Sequence, residues 1–245
     1  MISTKSLLCL ATMAISTTVL LNSCIAIGQN RVKGNGHVIK EERSVAAFHR
    51  VKAEGMMNVY LAQGPAKAVV IEAEDNIVPL IELVEEDGKL IVREKRGYNI
   101  STHKGINVYL TTPEVDEVAL SGSGDVEFTD KFTSSTPVKV SLSGSGNVKG
   151  ELTAPAVKAS IAGSGDMYLK GETKDVNLSI AGSGNFRSDG LLAENVEVAI
   201  AGSGDADVYA SVKLSAKIAG SGDVHYKGTP EVSSSVAGSG SVQKK

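Results

Sequence analysis

A four-residue phrase recurs seven times in the second half of this chain, and its spacing restricts the fold more than any other feature. The copies are Gly122-Ser123-Gly124-Asp125, Gly144 to Asn147, Gly163 to Asp166, Gly182 to Asn185, Gly202 to Asp205, Gly220 to Asp223 and Gly238 to Ser241. Successive first glycines lie 22, 19, 19, 20, 18 and 18 residues apart. A unit this short cannot bury an apolar face alone, so units must stack and share one core. It is also too short for a strand plus a helical crossover, which takes a dozen or more residues for the crossover alone.

The residues between the phrases alternate. Val138 to Leu142, Val157 to Ile161, Val176 to Ile180 and Val196 to Ile200 place apolar residues at every second position, as do Val126 and Phe128, and Met167 and Leu169, after the corner. Period two is the mark of a half-buried strand. One repeat therefore reads as strand, sharp corner, strand and loop, each strand pairing in parallel with its equivalent about 4.8 Å away in the next coil. The expected fold is all-β: a single-stranded-type parallel β-solenoid of about ten short coils. Variable loop lengths and the crossover preference favour the right-handed β-helix.

Glycine suits the corner because it accepts positive φ and close backbone approach. The Asp or Asn that ends the phrase is expected to bond its own backbone in an Asx-type turn. The corner residues are thus Gly122, Asp125, Gly144, Asn147, Gly163, Asp166, Gly182, Asn185, Gly202, Asp205, Gly220 and Asp223. Down the stack, acid and amide alternate almost throughout, which keeps like charges off neighbouring rungs.

A fainter copy lies upstream. Val51, Ala53, Gly55, Asn58, Val59 and Leu61 overlay Val118, Leu120, Gly122, Asp125, Val126 and Phe128, and Asn107-Val108-Tyr109-Leu110 matches the same corner. Between them, Ile81 to Val92 reads as two strands around an Asp87-Gly88 hairpin turn. Residues 34–114 are therefore expected to form irregular N-terminal β coils with a hairpin, continuous with the regular β-helix of residues 115–245.

Residues 1–23 read as a signal peptide of the lipoprotein type, with Lys5 ahead of an apolar run from Leu7 to Leu21. The run ends in Leu21-Asn22-Ser23-Cys24, which resembles a bacterial lipobox and makes Cys24 the lipidation site, with residues 24–33 a tether. A lipid with more than one chain would hold the protein stably to the membrane. The alternative is cleavage near Gly28, after Ala26-Ile27-Gly28, giving a secreted or periplasmic protein. The other cysteine, Cys9, falls in the removed segment, so no disulfide is expected. The chain carries 25 basic and 28 acidic residues and no Trp. No basic patch interleaves with aromatics, which excludes a nucleic-acid surface.

The Gly34-Asn35-Gly36 segment, the stretch through Val51 and Asn58-Val59-Tyr60-Leu61, the literal Gly105-Ile106-Asn107 and the ladder of repeats together resemble the "head GIN domain" putative auto-transporter adhesins. These are exported proteins of Gram-negative bacteria, many of them lipoproteins. The resemblance implies a β-helix in the cell envelope, held at the outer membrane and facing either the surface or the periplasm. It brings no catalytic residues and no cofactor.

The corner acids invite comparison with calcium-binding β-rolls. Asp205 and Asp223 are the best pair, being adjacent with no intervening Asn. One corner per coil supplies too few oxygens for calcium, which takes six or more, so no metal is expected. The outward row two residues past each glycine turn is Glu127, Lys149, Tyr168, Arg187, Asp207 and His225, a candidate binding face for a glycan or a protein partner. Glu72, Glu74 and Asp75, near Ile77 to Leu80, break the repeat and are the other place where an acid cluster could act. The expected function is a membrane-anchored envelope protein that binds and does not catalyse. The alternatives are a β-helix carbohydrate-active enzyme, lyase or hydrolase, and a structural envelope protein without a ligand.

Overall fold

The computed structural model describes residues 30–245. They form a parallel β-solenoid with about six regular turns. The estimate of about ten coils is too high because the N-terminal third uses its residues on antiparallel strands and a hairpin. Among the described residues the only helical element is a 3-10 turn at Val78–Leu80.

Two walls meet at each glycine corner. The first wall holds Arg50–Gly55, Glu117–Gly122 and Val138–Gly144, followed by the C-terminal halves of the long segments Asn147–Gly163, Asp166–Gly182, Phe186–Gly202 and Ala206–Gly220. The second wall holds Asn58–Gln63, Asp125–Thr133 and the N-terminal halves of those segments. Each long segment wraps from the second wall of one coil to the first wall of the next. Its register is one repeat: Asn147 pairs with Asp166 and Gly163 with Gly182.

Alternation sets the core. Leu142, Ile161, Ile180, Ile200 and Ile218 lie in one inward file, each at most 3% exposed. Burying each such side chain contributes about 1.5–3 kcal/mol, and the file repeats that gain at every rung. The thin interior explains the small residues: Ala159 and Ala216 occupy the inward positions that Val140 and Leu178 fill elsewhere.

The N-terminal coils stack out of chain order. Arg50–Gly55 lies between Glu117–Gly122 on one side and Lys89–Glu94 on the other, all parallel. Asn58–Gln63 likewise lies between Asp125–Thr133 and Asn107–Thr112. The chain thus builds one coil, passes to the outside to build a second, and returns over the first. Antiparallel strands close this end: Val69–Glu74 pairs with Asn107–Thr112 and with Val38–Arg43, while Ile81–Glu86 pairs with Lys89–Glu94. The hairpin turns at Asp87 and Gly88, with φ of 47° and 74°. Two consecutive positive φ values are what a two-residue hairpin of the favoured twist requires. The 3-10 turn plugs the same end through buried Ile77 and Val78. Asn30–Lys33, at the end of the segment read as a tether, is an edge strand on Tyr98–Ser101.

Candidate functional site

The corners show what the repeated phrase does. At every rung but Gly202, which accepts from Ser221 alone, the carbonyl of the first glycine in one coil accepts two N–H groups from the next coil. Gly163 accepts from Ser183 and Gly184, both at 2.9 Å, and Gly144 accepts from Ser164 at 2.9 Å and Gly165 at 3.0 Å. The first glycines have positive φ, 126° at Gly182 for example. The second glycines, from Gly124 to Gly222, are buried against the backbone of the neighbouring coil.

The Asp/Asn row works differently from an Asx turn. Its side chains bond along the solenoid axis, not within their own corner. Asn147 donates its backbone N–H (2.9 Å) and its amide Nδ2 (2.8 Å) to Asp125 Oδ1. Asn185 does the same to Asp166 Oδ1, at 3.0 and 2.8 Å. Asp205 N–H donates to Asn185 and Asp223 N–H to Asp205, at 3.0 and 2.9 Å. The acid–amide alternation therefore gives donors as well as spacing charges. Where two acids meet, only the backbone donates.

Asp223 in turn accepts the hydroxyl and N–H of Ser241, at 2.7 and 2.8 Å, and these bonds hold its carboxyl below the usual range. No group of three or more His, Cys, Asp or Glu side chains gathers as a metal site among the described residues.

The acids that break the repeat are each held by a neighbour. Glu74 is 1% exposed and sits beneath the Gly34–Gly36 turn. It accepts from Gly36 N–H at 3.0 Å and from the Thr102 hydroxyl. Asp75 bonds Asn35 and lies 3.1 Å from His37. Glu72 accepts from the Tyr109 hydroxyl at 2.7 Å and pairs with Lys40 at 3.6 Å. The hydrogen bond to Glu72, with burial, pushes the Tyr109 phenol up to about 12. The Gly34-Asn35-Gly36 motif is thus a clamp on the cap.

The outward row of the second wall forms one file. Pairing sets Glu127 beside Lys149, Lys149 beside Tyr168, Arg187 beside Asp207 and Asp207 beside His225. Tyr168 and Arg187 follow the paired residues Met167 and Phe186. All six predicted residues therefore share one face. The file continues beyond them, because Tyr60 pairs with both Glu127 and Tyr109. The Tyr60 and Tyr109 rings stack at 5.1 Å with planes 16° apart. These two tyrosines were missed, although their matching places in Asn58-Val59-Tyr60-Leu61 and Asn107-Val108-Tyr109-Leu110 mark them as equivalent to Glu127. Lys149 Nζ lies 5.7 Å from the centre of the Tyr168 ring. Arg187, His225 and Lys245 surround Asp207 at 3.8, 3.6 and 2.7 Å. The first wall, by contrast, presents small outward side chains such as Ser179, Ala181, Ala199 and Ala201.

Fold and face together define a class: an elongated parallel β-solenoid with glycine corners, a clamped cap and one aromatic, charged stripe. The chain belongs to the family described as "Putative auto-transporter adhesin, head GIN domain", whose pattern it matches over residues 47–230. Solved structures share the fold. A putative adhesin from Bacteroides fragilis is 26% identical, with 87% of this chain and 100% of that one covered at a TM-score of 0.81. A putative lipid binding protein from Parabacteroides distasonis is 26% identical over 88% of this chain and 100% of that one, at 0.73. A putative adhesin from Parabacteroides merdae, 24% identical, covers 88% and 99% at 0.69. No curated protein matches the sequence. Cys24 lies outside the described residues.

Proposed function

We propose that this protein is an envelope-anchored binding protein of the adhesin type, which holds a glycan along the outer face of its second wall. The observation that carries the reading is the file from Tyr109 through Tyr60, Glu127, Lys149, Tyr168, Arg187 and Asp207 to His225. It sets aromatic rings and hydrogen-bonding groups on a rigid face at a rung spacing of about 4.8 Å. Tyrosine offers an apolar body with a polar tip, suited to the mixed surface of a sugar. The carboxylates and cations between the rings supply the few oriented polar contacts that give a site its specificity. Family membership supports export and adhesion. The lipobox-like sequence at Cys24 supports attachment by lipid at the outer membrane. Binding rather than catalysis is supported by the engagement of Glu72, Glu74, Asp75, Asp205 and Asp223 in structural bonds.

The test is retention of purified protein on panels of glycans and envelope proteins, comparing wild type with Tyr60→Ala and Tyr168→Ala. Saturable retention on a glycan that falls in both variants, at little-changed melting temperature, supports the face. Retention indifferent to both substitutions refutes it. Polysaccharide cleavage that disappears on Asp205→Ala or Glu74→Ala would instead make this a carbohydrate-active enzyme.

A further inference from the structure

The stripe is not uniform. Across the outward positions of three successive coils, a groove of about 540 Å³ opens over Gly150. Gly150 occupies an inward position, in register with Leu169. A Cβ there would stand less than 3.0 Å from the Phe128 ring, which fills the space a side chain would take. The floor is therefore bare backbone over an aromatic edge. Lys149 and Tyr168 border one side and Glu151 and Lys170 the other, with Glu127 at one end.

The cations at this groove differ from the rest of the file. Toward the C-terminus, Arg187, His225 and Lys245 converge on Asp207. Toward the cap, Lys40 pairs with Glu72. At the groove, Glu151 pairs with Lys131 at 3.8 Å. Lys149 and Lys170 are set by register beside Glu127 and Glu151, yet neither forms an ion pair among the described residues, and both are exposed. The ring of Tyr168 is half-buried and braced by its hydroxyl, which donates to Asp166 at 3.2 Å.

Two ammonium groups outside any ion pair, a fixed ring and two carboxylates beside them suit a ligand with separated acidic groups, hydroxyls and an apolar ring face. A polyphosphate chain fits poorly, because it needs an unbroken run of cations, and Glu127 and Glu151 would face its phosphates. We propose, resting on the glycan reading above, that this groove seats an acidic sugar unit, a uronate or sulfated pyranose. Lys149 and Lys170 bind its anionic group, Tyr168 packs on its ring, and Glu127 accepts its hydroxyls. Charge-assisted bonds of this kind are the stronger class, and lysine acts in them as a point charge, without a fixed fork.

The experiment uses an array of neutral, uronate-bearing and sulfated oligosaccharides of defined structure, with polyuridylate and polyglutamate as non-sugar anions. Wild type is compared with Lys149→Gln, Lys170→Gln and the double variant. Both lysines are exposed, so the variants should fold, as circular dichroism and melting will check. The expected result is retention on acidic glycans, weakened at least tenfold by either substitution and reduced in 0.5 M salt as exposed charges are screened. Retention of neutral glycans, unchanged in the double variant but lost in Tyr60→Ala, would overturn the acidic-sugar assignment and leave the stripe as the glycan face. Equal retention of polyuridylate or polyglutamate would also overturn it, by showing mere charge attraction. Retention of no glycan at all would overturn both readings.

Discussion

Three glycines allow a graded test of the solenoid, because two at one corner, Gly182 and Gly184, and one in the turn before Tyr98–Ser101, Gly97, separate two costs. At Gly184, a methyl group would stand less than 3.0 Å from the carbonyl oxygen of Gly165 and from Ile161 Cγ2, and no positive φ is required. At Gly182, the methyl would meet the carbonyl of Gly163 just as closely, and the backbone also has φ of 126°. At Gly97, φ is 86° and nothing lies within 4 Å of the new methyl. Gly97→Ala should therefore cost only the backbone term, about 1 kcal/mol. Gly184→Ala must push a coil away from its neighbour. The coil is tied there by the bonds of Ser183 and Gly184 to Gly163, both 2.9 Å, so crowding adds about 1–3 kcal/mol and strained hydrogen bonds about 1 kcal/mol. Gly182→Ala should add about 1–3 kcal/mol of backbone strain to a similar clash. At about 3 °C per kcal/mol for a protein of this size, the melting temperature should fall by about 3 °C for Gly97→Ala. It should fall by about 6–12 °C for Gly184→Ala, and further for Gly182→Ala. Because stacked repeats can open locally, hydrogen exchange at the Ser183 and Gly184 amides should accompany the melts. A Gly184→Ala melt no lower than that of Gly97→Ala would refute the reasoning. It would mean that the carbonyl stack yields to a side chain and that glycine is not required by coil spacing.

Other outcomes follow from the same structure. Cys24→Ala should release the protein from the membrane fraction or block its processing; a variant that matures normally and stays membrane-bound would show that Cys24 is not the anchor. The Tyr109 phenol, pushed up to about 12 by its bond to Glu72 and by burial, should ionise last or nearly last in an ultraviolet titration, and Glu72→Gln should move that step toward the ordinary tyrosine range near 10. Glu117, held low by its hydrogen bond to Lys139, and Asp223, held low by Ser241, have folded proton affinities below their unfolded ones. Their stabilisation is therefore present above about pH 4 and lost as pH falls through the depressed values. Glu117→Gln should flatten the acid limb of the stability curve below pH 5, and an unchanged limb would count against that pairing.

Much of this protein was legible in its sequence, because in a solenoid equivalent residues become neighbours. The overlay of Val51, Gly55, Val59 and Leu61 on Val118, Gly122, Val126 and Phe128 turned out to be a list of direct cross-strand partners. The Asp87-Gly88 turn and the shared face of Glu127, Lys149, Tyr168, Arg187, Asp207 and His225 followed from local turn chemistry and from period-two alternation. What the sequence did not carry was anything that depends on which coil lies on which. Self-similarity says that two segments are equivalent and is silent on their order, so the coil of residues 50–63 could be placed between its neighbours only by the tertiary structure. The same limit hid the bonding of the Asp/Asn row, whose partners lie 18–22 residues away across a rung and not within the turn. It also hid the state of the charges. Lys149, Lys170 and Arg187 look alike as outward residues of a repeat. Only the packing shows that Arg187 reaches the Asp207 carboxylate at 3.8 Å while the two lysines over Gly150, although the register sets them beside Glu127 and Glu151, form no ion pair, because a charge is free or paired according to where its neighbours point in space.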